Sequence, residues 1–232
     1  MNADELRGRH VAAFLRRCGV AAERLKALDA LRQLYEALLD ANRAANLTRI
    51  TNEADYWNLH VADSLSVGLV VPELLRDPLA AVDVGCGAGF PMLPLAWANP
   101  NLRITGIESG HKKAAFVRRQ IGALDLGGAS VVAGRAREVA RLPAHAGRYD
   151  VVLARAVGPA AKLIRECRGL LRPTGGARMV FYKTPAGIEA ERGLAAREAA
   201  KFRLALYESQ VIALPQARGT RQFLIVAAAG IR

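Results

Sequence analysis

The sequence predicts an α/β fold, with a mostly parallel seven-stranded sheet, an antiparallel carboxyl-terminal strand and an N-terminal helical extension. Three observations lead there. From residue 79 onward short apolar runs alternate with helical patterns, which is the rhythm of βαβ units. One such run, Val82-Asp83-Val84, feeds directly into glycines at alternate positions, Gly85, Gly87 and Gly89. The last two apolar runs are separated only by the loop Pro215-Gln216-Ala217-Arg218-Gly219, too short for a parallel crossover, so that pair must be antiparallel.

The elements follow in order. Val11, Phe14, Leu15 and Cys18 line one helical face, and Leu25, Leu28, Leu31, Tyr35, Leu38 and Leu39 line a second after Gly19. Residues 42–52 are polar and turn-rich, and a third helix is expected over 53–70, closed by Pro72 and by Asp77-Pro78. The domain boundary is placed there: 1–78 as the helical extension and 79–232 as the ligand-binding domain. Strands are expected at 81–84, 102–107, 130–133, 149–154, 178–182, 204–212 and 222–228, with helices between most of them. In such a sheet the ligand crevice lies at the carboxyl ends of the strands.

Composition narrows the class. A chain of 232 residues is long enough for one well-buried α/β domain with an appendage. No apolar run approaches the roughly 18 residues of a membrane span, and Asp4 and Glu5 near the start are unlike a signal peptide, so a cytoplasmic protein without membrane contact is expected. Cys18, Cys86 and Cys167 are odd in number and widely spread, against a disulfide framework or a metal site. The net charge of +12 is unevenly placed: residues 1–79 hold 10 basic against 11 acidic side chains, residues 80–232 hold 23 against 10. A polyanionic partner is therefore expected at the ligand-binding domain. Lys162, Arg165, Arg168 and Arg172 recur at helical spacing, which fits an RNA-facing stripe and equally a solvated helix face.

The glycine turn carries the most chemistry. A dinucleotide fingerprint, G-x-G-x-x-G, would need its third glycine where Phe90 stands, which disfavours a nicotinamide-dependent oxidoreductase. The pattern is instead G-x-G-x-G, preceded by Asp83 and followed by Glu108 at the end of the next apolar run, where a ribose-binding acid belongs. Together these resemble the S-adenosylmethionine site of class I (Rossmann-like) methyltransferases.

The acceptor is narrowed by what is missing. The fourth strand ends Leu153-Ala154-Arg155-Ala156-Val157-Gly158-Pro159, without the Asn/Asp-Pro-Pro-aromatic loop of many base-amine methyltransferases. None of the cysteines is placed as the nucleophile that cytosine C5 requires. Guanine N7 offers a lone pair at neutral pH and needs no general base. Arg155, at a strand's carboxyl end, suits a guanine O6 or a phosphate; a salt bridge from the sheet edge is the competing role. His60, Asp63 and Ser64 share one helix face, so they lack the opposed geometry of a hydrolytic triad and are expected to tie the helix to the ligand-binding domain.

Asn46-Leu47-Thr48, His60-Val61-Ala62-Asp63-Ser64-Leu65, Asp83 through Pro91, Gly134-Arg135-Ala136 and Ala154-Arg155-Ala156-Val157 occur in one order and spacing. In this the chain resembles the bacterial small-subunit ribosomal RNA guanine-N7 methyltransferases, the glucose-inhibited division protein B family. The resemblance covers roughly residues 46–183. It implies S-adenosyl-L-methionine as cofactor and a guanine N7 of 16S rRNA in the small ribosomal subunit as acceptor; separately, the chain is expected to act as a monomer. It places cofactor contacts at Gly85, Phe90, Ala136, Arg137 and Arg155, with Gly87 and Gly89 in the same turn and Glu108 on the ribose. Arg155 is also the candidate for substrate positioning, and Lys112, Lys113 and Lys183 are candidate RNA contacts. Lys112 and Lys113 fit an exposed helix start equally well. Arg137 stands where the family usually has an acid, Met92 where a glycine is common, and Phe181-Tyr182-Lys183-Thr184 where Leu-Lys-Gly is typical. Two other functions fit the same features: a methyltransferase of another RNA or small-molecule acceptor, and a non-catalytic RNA-binding assembly factor.

Overall fold

The computed structural model describes residues 3–173 and 175–228. Its sheet runs β3-β2-β1-β4-β5-β8-β6, built from β1 (Ala80–Val84), β2 (Arg103–Glu108), β3 (Ala129–Ala133), β4 (Val151–Arg155), β5 (Arg178–Lys183), β6 (Leu204–Glu208) and β8 (Thr220–Ala228). The short β7 (Ile212–Ala213) pairs only with the start of β8. The first five strands are parallel, and β8 inserts antiparallel between β5 and β6.

Side chains alternate between two buried layers with the period of two that a pleated strand imposes. On β4, Val151 and Leu153 join one layer and Val152 and Ala154 the other; on β5, Val180 and Tyr182 oppose Met179 and Phe181. Both faces are covered, which is why these strands read as continuous apolar runs. One layer is roofed by α9 (Ala160–Cys167) and α10 (Pro185–Ala200). The other is roofed by α6 (Met92–Ala98), α7 (His111–Ala123) and the N-terminal helices α1 (Ala3–Cys18) and α3 (Asp29–Ala45), the last two joined through α2 (Ala22–Leu25). Phe14, Leu34, Leu93, Phe116 and Phe223 belong to one buried cluster, so the hydrophobic core is continuous across residue 78.

The structure refines the predicted elements in two places. The strand expected over 204–212 is two strands, because the Ser209 hydroxyl accepts the Phe223 N–H (2.9 Å) and displaces a ladder bond. Among the described residues the total is therefore eight strands rather than seven. The helix expected over 53–70 is helical throughout, yet only in pieces: α4 (Glu53–Asp55), a π-helical stretch Tyr56–Ala62, α5 (Asp63–Leu65) and a 3-10 turn Ser66–Leu69. Asn58 Nδ2 donates to the Ala54 carbonyl (2.7 Å), the acceptor an α-helix would offer to the Asn58 N–H. That competition widens the helix.

Candidate active site

Gly85, Gly87 and Gly89 all have positive φ, at 69°, 58° and 94°. Gly85 is the tightest toward the cleft: a Cβ there would lie 2.7 Å from Val157 Cγ2. The turn is tied to β2 by Glu108, whose Oε2 accepts the Gly87 N–H (2.9 Å) while Oε1 accepts the Gly110 N–H (2.7 Å). One carboxylate thus braces both loops at the cleft mouth and keeps lone pairs for a ligand's hydroxyls. Met92 is wholly buried, and its sulfur lies 2.4 Å from where a Cβ on Gly106 would be, so the unusual methionine is accommodated by the glycine on β2.

A cleft of about 410 Å³ opens at the carboxyl ends of β1, β2 and β4. Gly85, Ala136, Arg137, Val157 and Lys162 line it, with α8 (Ala136–Val139) forming one wall. Phe90 and Glu108 stand beside the same turn, Phe90 buried and Glu108 nearly so. Beneath it Asp83 is fully buried; its Oδ2 accepts the Met92 N–H (3.2 Å) and its Oδ1 has no partner. Burial pushes the Asp83 carboxyl up to about 7, with the Arg155 charge pulling the other way.

Behind the turn lies a compact polar cluster. Arg155 Nη1 donates to Asp63 Oδ2 (2.8 Å) and to the Leu59 carbonyl (3.0 Å), and Nη2 meets His60 Nδ1 at 3.3 Å. Arginine only donates, so His60 Nδ1 accepts and the ring proton sits on Nε2, facing Thr48 Oγ1 at 3.0 Å. The His60 ring stacks on Phe90 with centroids 4.2 Å apart. Burial, and then the neighbouring Arg155, hold the imidazole pKa down to about 3, so it is neutral at physiological pH. Arg221 completes the cluster by gripping the same Asp63 through Nε (2.6 Å) and Nη2 (2.8 Å). Two guanidiniums share one carboxylate that is only 2% exposed.

The sequence-predicted residues separate clearly. Thr48, His60, Asp63, Phe90 and Arg155, drawn from four distant segments, converge on one point, and His60 and Asp63 do tie their helix to β4. For Arg155 the salt bridge is present, while Nε and one Nη2 hydrogen stay uncommitted among the described contacts. Lys112 is exposed and Lys113 half-buried at the start of α7. Lys183 is turned inward: its ammonium donates to the Gly158 carbonyl (2.9 Å) and to Glu191 (2.8 Å). Of the helical stripe, Arg165 pairs with Glu198 (3.7 Å), Arg168 lies 4.2 Å over the Phe202 ring and Arg172 bonds Asp150, which leaves Lys162 at the cleft. Arg135, Arg137 and Arg141 are exposed, with no ion pair among the described residues. Arg221 went unnoticed in the sequence, since nothing at residues 218–222 signals a partner 158 positions away. The cysteines are inert: burial pushes Cys18 and Cys167 up to about 12 and Cys86 higher still.

The arrangement suits S-adenosylmethionine. The positive-φ turn leaves room where a Cβ would intrude, Glu108 braces that turn beside the cleft, and Asp83 Oδ1 lies buried beneath it without a partner. Strand order, turn and cleft define the class I methyltransferase fold. Solved structures share the fold: the O-methyltransferase from Bacillus cereus in complex with SAH (TM-score 0.58, 15% identity, 90% of this chain and 98% of that one) and Aeropyrum pernix fibrillarin with bound S-adenosyl-L-methionine (TM-score 0.51, 16% identity, 66% and 68%).

Within that class the chain belongs to the rRNA small subunit methyltransferase G family, whose model matches residues 27–219. Curated relatives called ribosomal RNA small subunit methyltransferase G include proteins of Trichormus variabilis (39% identity; 66% of this chain, 63% of the relative) and Lacticaseibacillus paracasei (34%; 85% and 81%). The match thus spans just under two thirds of the Trichormus protein's length.

Proposed function

We propose that this protein transfers a methyl group from S-adenosylmethionine to N7 of one guanine in the 16S rRNA of the small ribosomal subunit. The observation that carries this reading is the convergence of Thr48, His60, Asp63, Phe90 and Arg155 beside the glycine turn, with no acid–base pair among them. The neutral His60 is already hydrogen-bonded at both ring nitrogens, and the three thiols are buried. An acceptor that needs neither deprotonation nor a covalent nucleophile fits such a site, and guanine N7 is one. Family membership supports the same substrate.

S-adenosylmethionine, when bound, supplies an electrophilic methyl group on a sulfonium. The chain's own residues then have four tasks. Gly85, Gly87 and Gly89 shape the turn, with Phe90, Glu108, Ala136 and Arg137 around the cofactor. The uncommitted Arg155 hydrogens bond the guanine O6, which fixes N7 in line with the methyl group. Phe90 and His60 form a flat wall that excludes water. The exposed Arg135, Arg137, Arg141 and Lys112, with the half-buried Lys113, meet phosphates around the cleft. In this reading the helical extension, residues 1–78, supplies Thr48, His60 and Asp63 to a site whose cofactor half lies in 79–232, and the protein works as a monomer in the bacterial cytoplasm. No helix among the described residues is long and apolar enough to cross a membrane.

The test is to incubate the protein with methyl-labelled cofactor and small subunits lacking the modification, then map the labelled nucleotide. Label at a guanine N7 of 16S rRNA is expected. Label confined to protein or small molecules overturns the proposal.

A further inference from the structure

A second cavity, larger than the cofactor cleft at about 660 Å³, lies on the far side of the Tyr56–Ala62 stretch. Its volume falls within the roughly 300–1,000 Å³ of ligand pockets. It is bounded by α1, the start of α3, the segment around Asn52–Asn58 and the loop Gln216–Arg218. Nothing in the methyl-transfer geometry uses it.

Its chemistry is specific. Arg32 and Arg218 are offset by Asp29 and Glu53 in the same lining, and each arginine is already paired, Arg32 with Glu53 (3.3 Å) and Arg218 with Asp55 (3.0 Å). The pocket therefore has no field for a phosphate. What it offers is a half-buried indole, Trp57, and two amides set side by side. Asn58 is 1% exposed, and its Oδ1 has no hydrogen-bond partner; its Nδ2 is held by the Ala54 carbonyl (2.7 Å) and faces Gln216 Oε1 (3.4 Å). That leaves an unpartnered acceptor on Asn58 beside the Gln216 amide, both in the pocket lining. A neutral, flat group with a donor and an acceptor along one edge matches this, and nucleobases have that pattern.

Position supplies the rest. The Tyr56–Ala62 stretch presents Trp57 and Asn58 to this pocket, and Leu59 and His60 to Arg155. The loop that closes the pocket runs directly into Arg221, which holds Asp63. The pocket and the acceptor site thus lie on two sides of a single helix, at the same end of the sheet.

We propose that this pocket takes an unpaired nucleobase flanking the methylated guanine, stacked near Trp57 and read by Asn58 and Gln216. The inference rests on the rRNA substrate proposed above. Two arms test it separately. In the first, each of the four 5′-nucleoside monophosphates at millimolar concentration is titrated against Trp57 fluorescence with the cofactor cleft saturated by S-adenosylhomocysteine. Trp97 is buried, and the Trp57→Phe protein supplies the blank. Saturable quenching by at least one nucleotide, weakened about tenfold in Gln216→Gly, is expected; glycine is chosen because Gln216 has φ 56°. In the second arm, Trp57→Ala raises KM for small subunits about tenfold, more than it lowers kcat, and leaves the Kd for S-adenosylmethionine within twofold. Absence of quenching by all four nucleotides, or an unchanged KM, overturns the pocket assignment while rRNA methylation stands. If the unaltered protein methylates no rRNA, the substrate proposal fails instead, and the first arm still decides whether the pocket binds a base.

Discussion

Arg155 at the end of β4 and Asp63 in the helical extension form a buried ion pair of 2.8 Å, in which the carboxylate is also claimed by Arg221. The asymmetry has a measurable consequence. Asp63→Ala leaves two guanidiniums facing each other without a counter-charge and is expected to cost about 3–5 kcal/mol of stability. Arg155→Ala leaves Asp63 bonded to Arg221 and should cost less, about 1.5–3 kcal/mol, the range of lost hydrogen bonds to a charged group. Denaturant unfolding of both variants checks the order. Single-turnover methylation should show Arg155→Ala slower by about a hundredfold, the scale of a lost transition-state donor. If Arg155→Ala unfolds as readily as Asp63→Ala and the folded fraction turns over normally, Arg155 is a structural residue only.

Gly85→Val is expected to lower the affinity for S-adenosylmethionine by more than tenfold. The residue has φ 69°, and its Cβ would meet Val157 within 2.7 Å, so the turn must shift. Calorimetric titration measures it; undiminished affinity would mean that this turn does not face the cofactor.

Glu108→Gln keeps the size of the side chain but removes the charge that both the Gly87 and Gly110 N–H groups address. Charge-assisted bonds are about twice as strong as neutral ones. A drop of about tenfold in cofactor affinity is expected, and the melting temperature of the cofactor-free protein should fall as well, because a glutamine amide accepts from only one of the two N–H groups; the same titration and a thermal scan report both.

The pH dependence of stability has two opposed contributions. Asp83 is raised to about 7 in the folded protein, so its stabilising contribution is complete below its ordinary carboxylate range and is lost as pH rises through about 7. His60 is lowered to about 3, so stability is lost as pH falls below its ordinary value near 6.5 toward 3. In thermal scans of cofactor-free protein, Asp83→Asn should gain on the unaltered protein between pH 5 and pH 8. His60→Gln should flatten the loss between pH 7 and pH 5. Parallel curves for all three proteins would remove both groups from the account.

Much of this was legible in the residues. The parallel strands could be read because both of their faces are buried, so Val151 through Ala154 and Met179 through Tyr182 are apolar without interruption. The glycine turn could be read because its positive-φ positions admit little else. The π-helical stretch could not, since the sequence does not show that Asn58 takes a backbone carbonyl. Lys183 looked like a surface cation, yet its ammonium folds back onto Glu191 on α10.

By itself, then, the sequence determined the α/β class, the glycine turn and the acid Glu108 that follows it, and the segments that mark the family, because each rests on local backbone geometry or on short-range spacing. Only the tertiary structure decided that Thr48, His60, Phe90 and Arg155 meet around Asp63, that Arg221 shares that carboxylate, and that a pocket lined by amides opens behind them. Those relations join residues up to 158 positions apart. Burial decides which charges must pair and which oxygen is left without a donor, and burial exists only once the chain has folded.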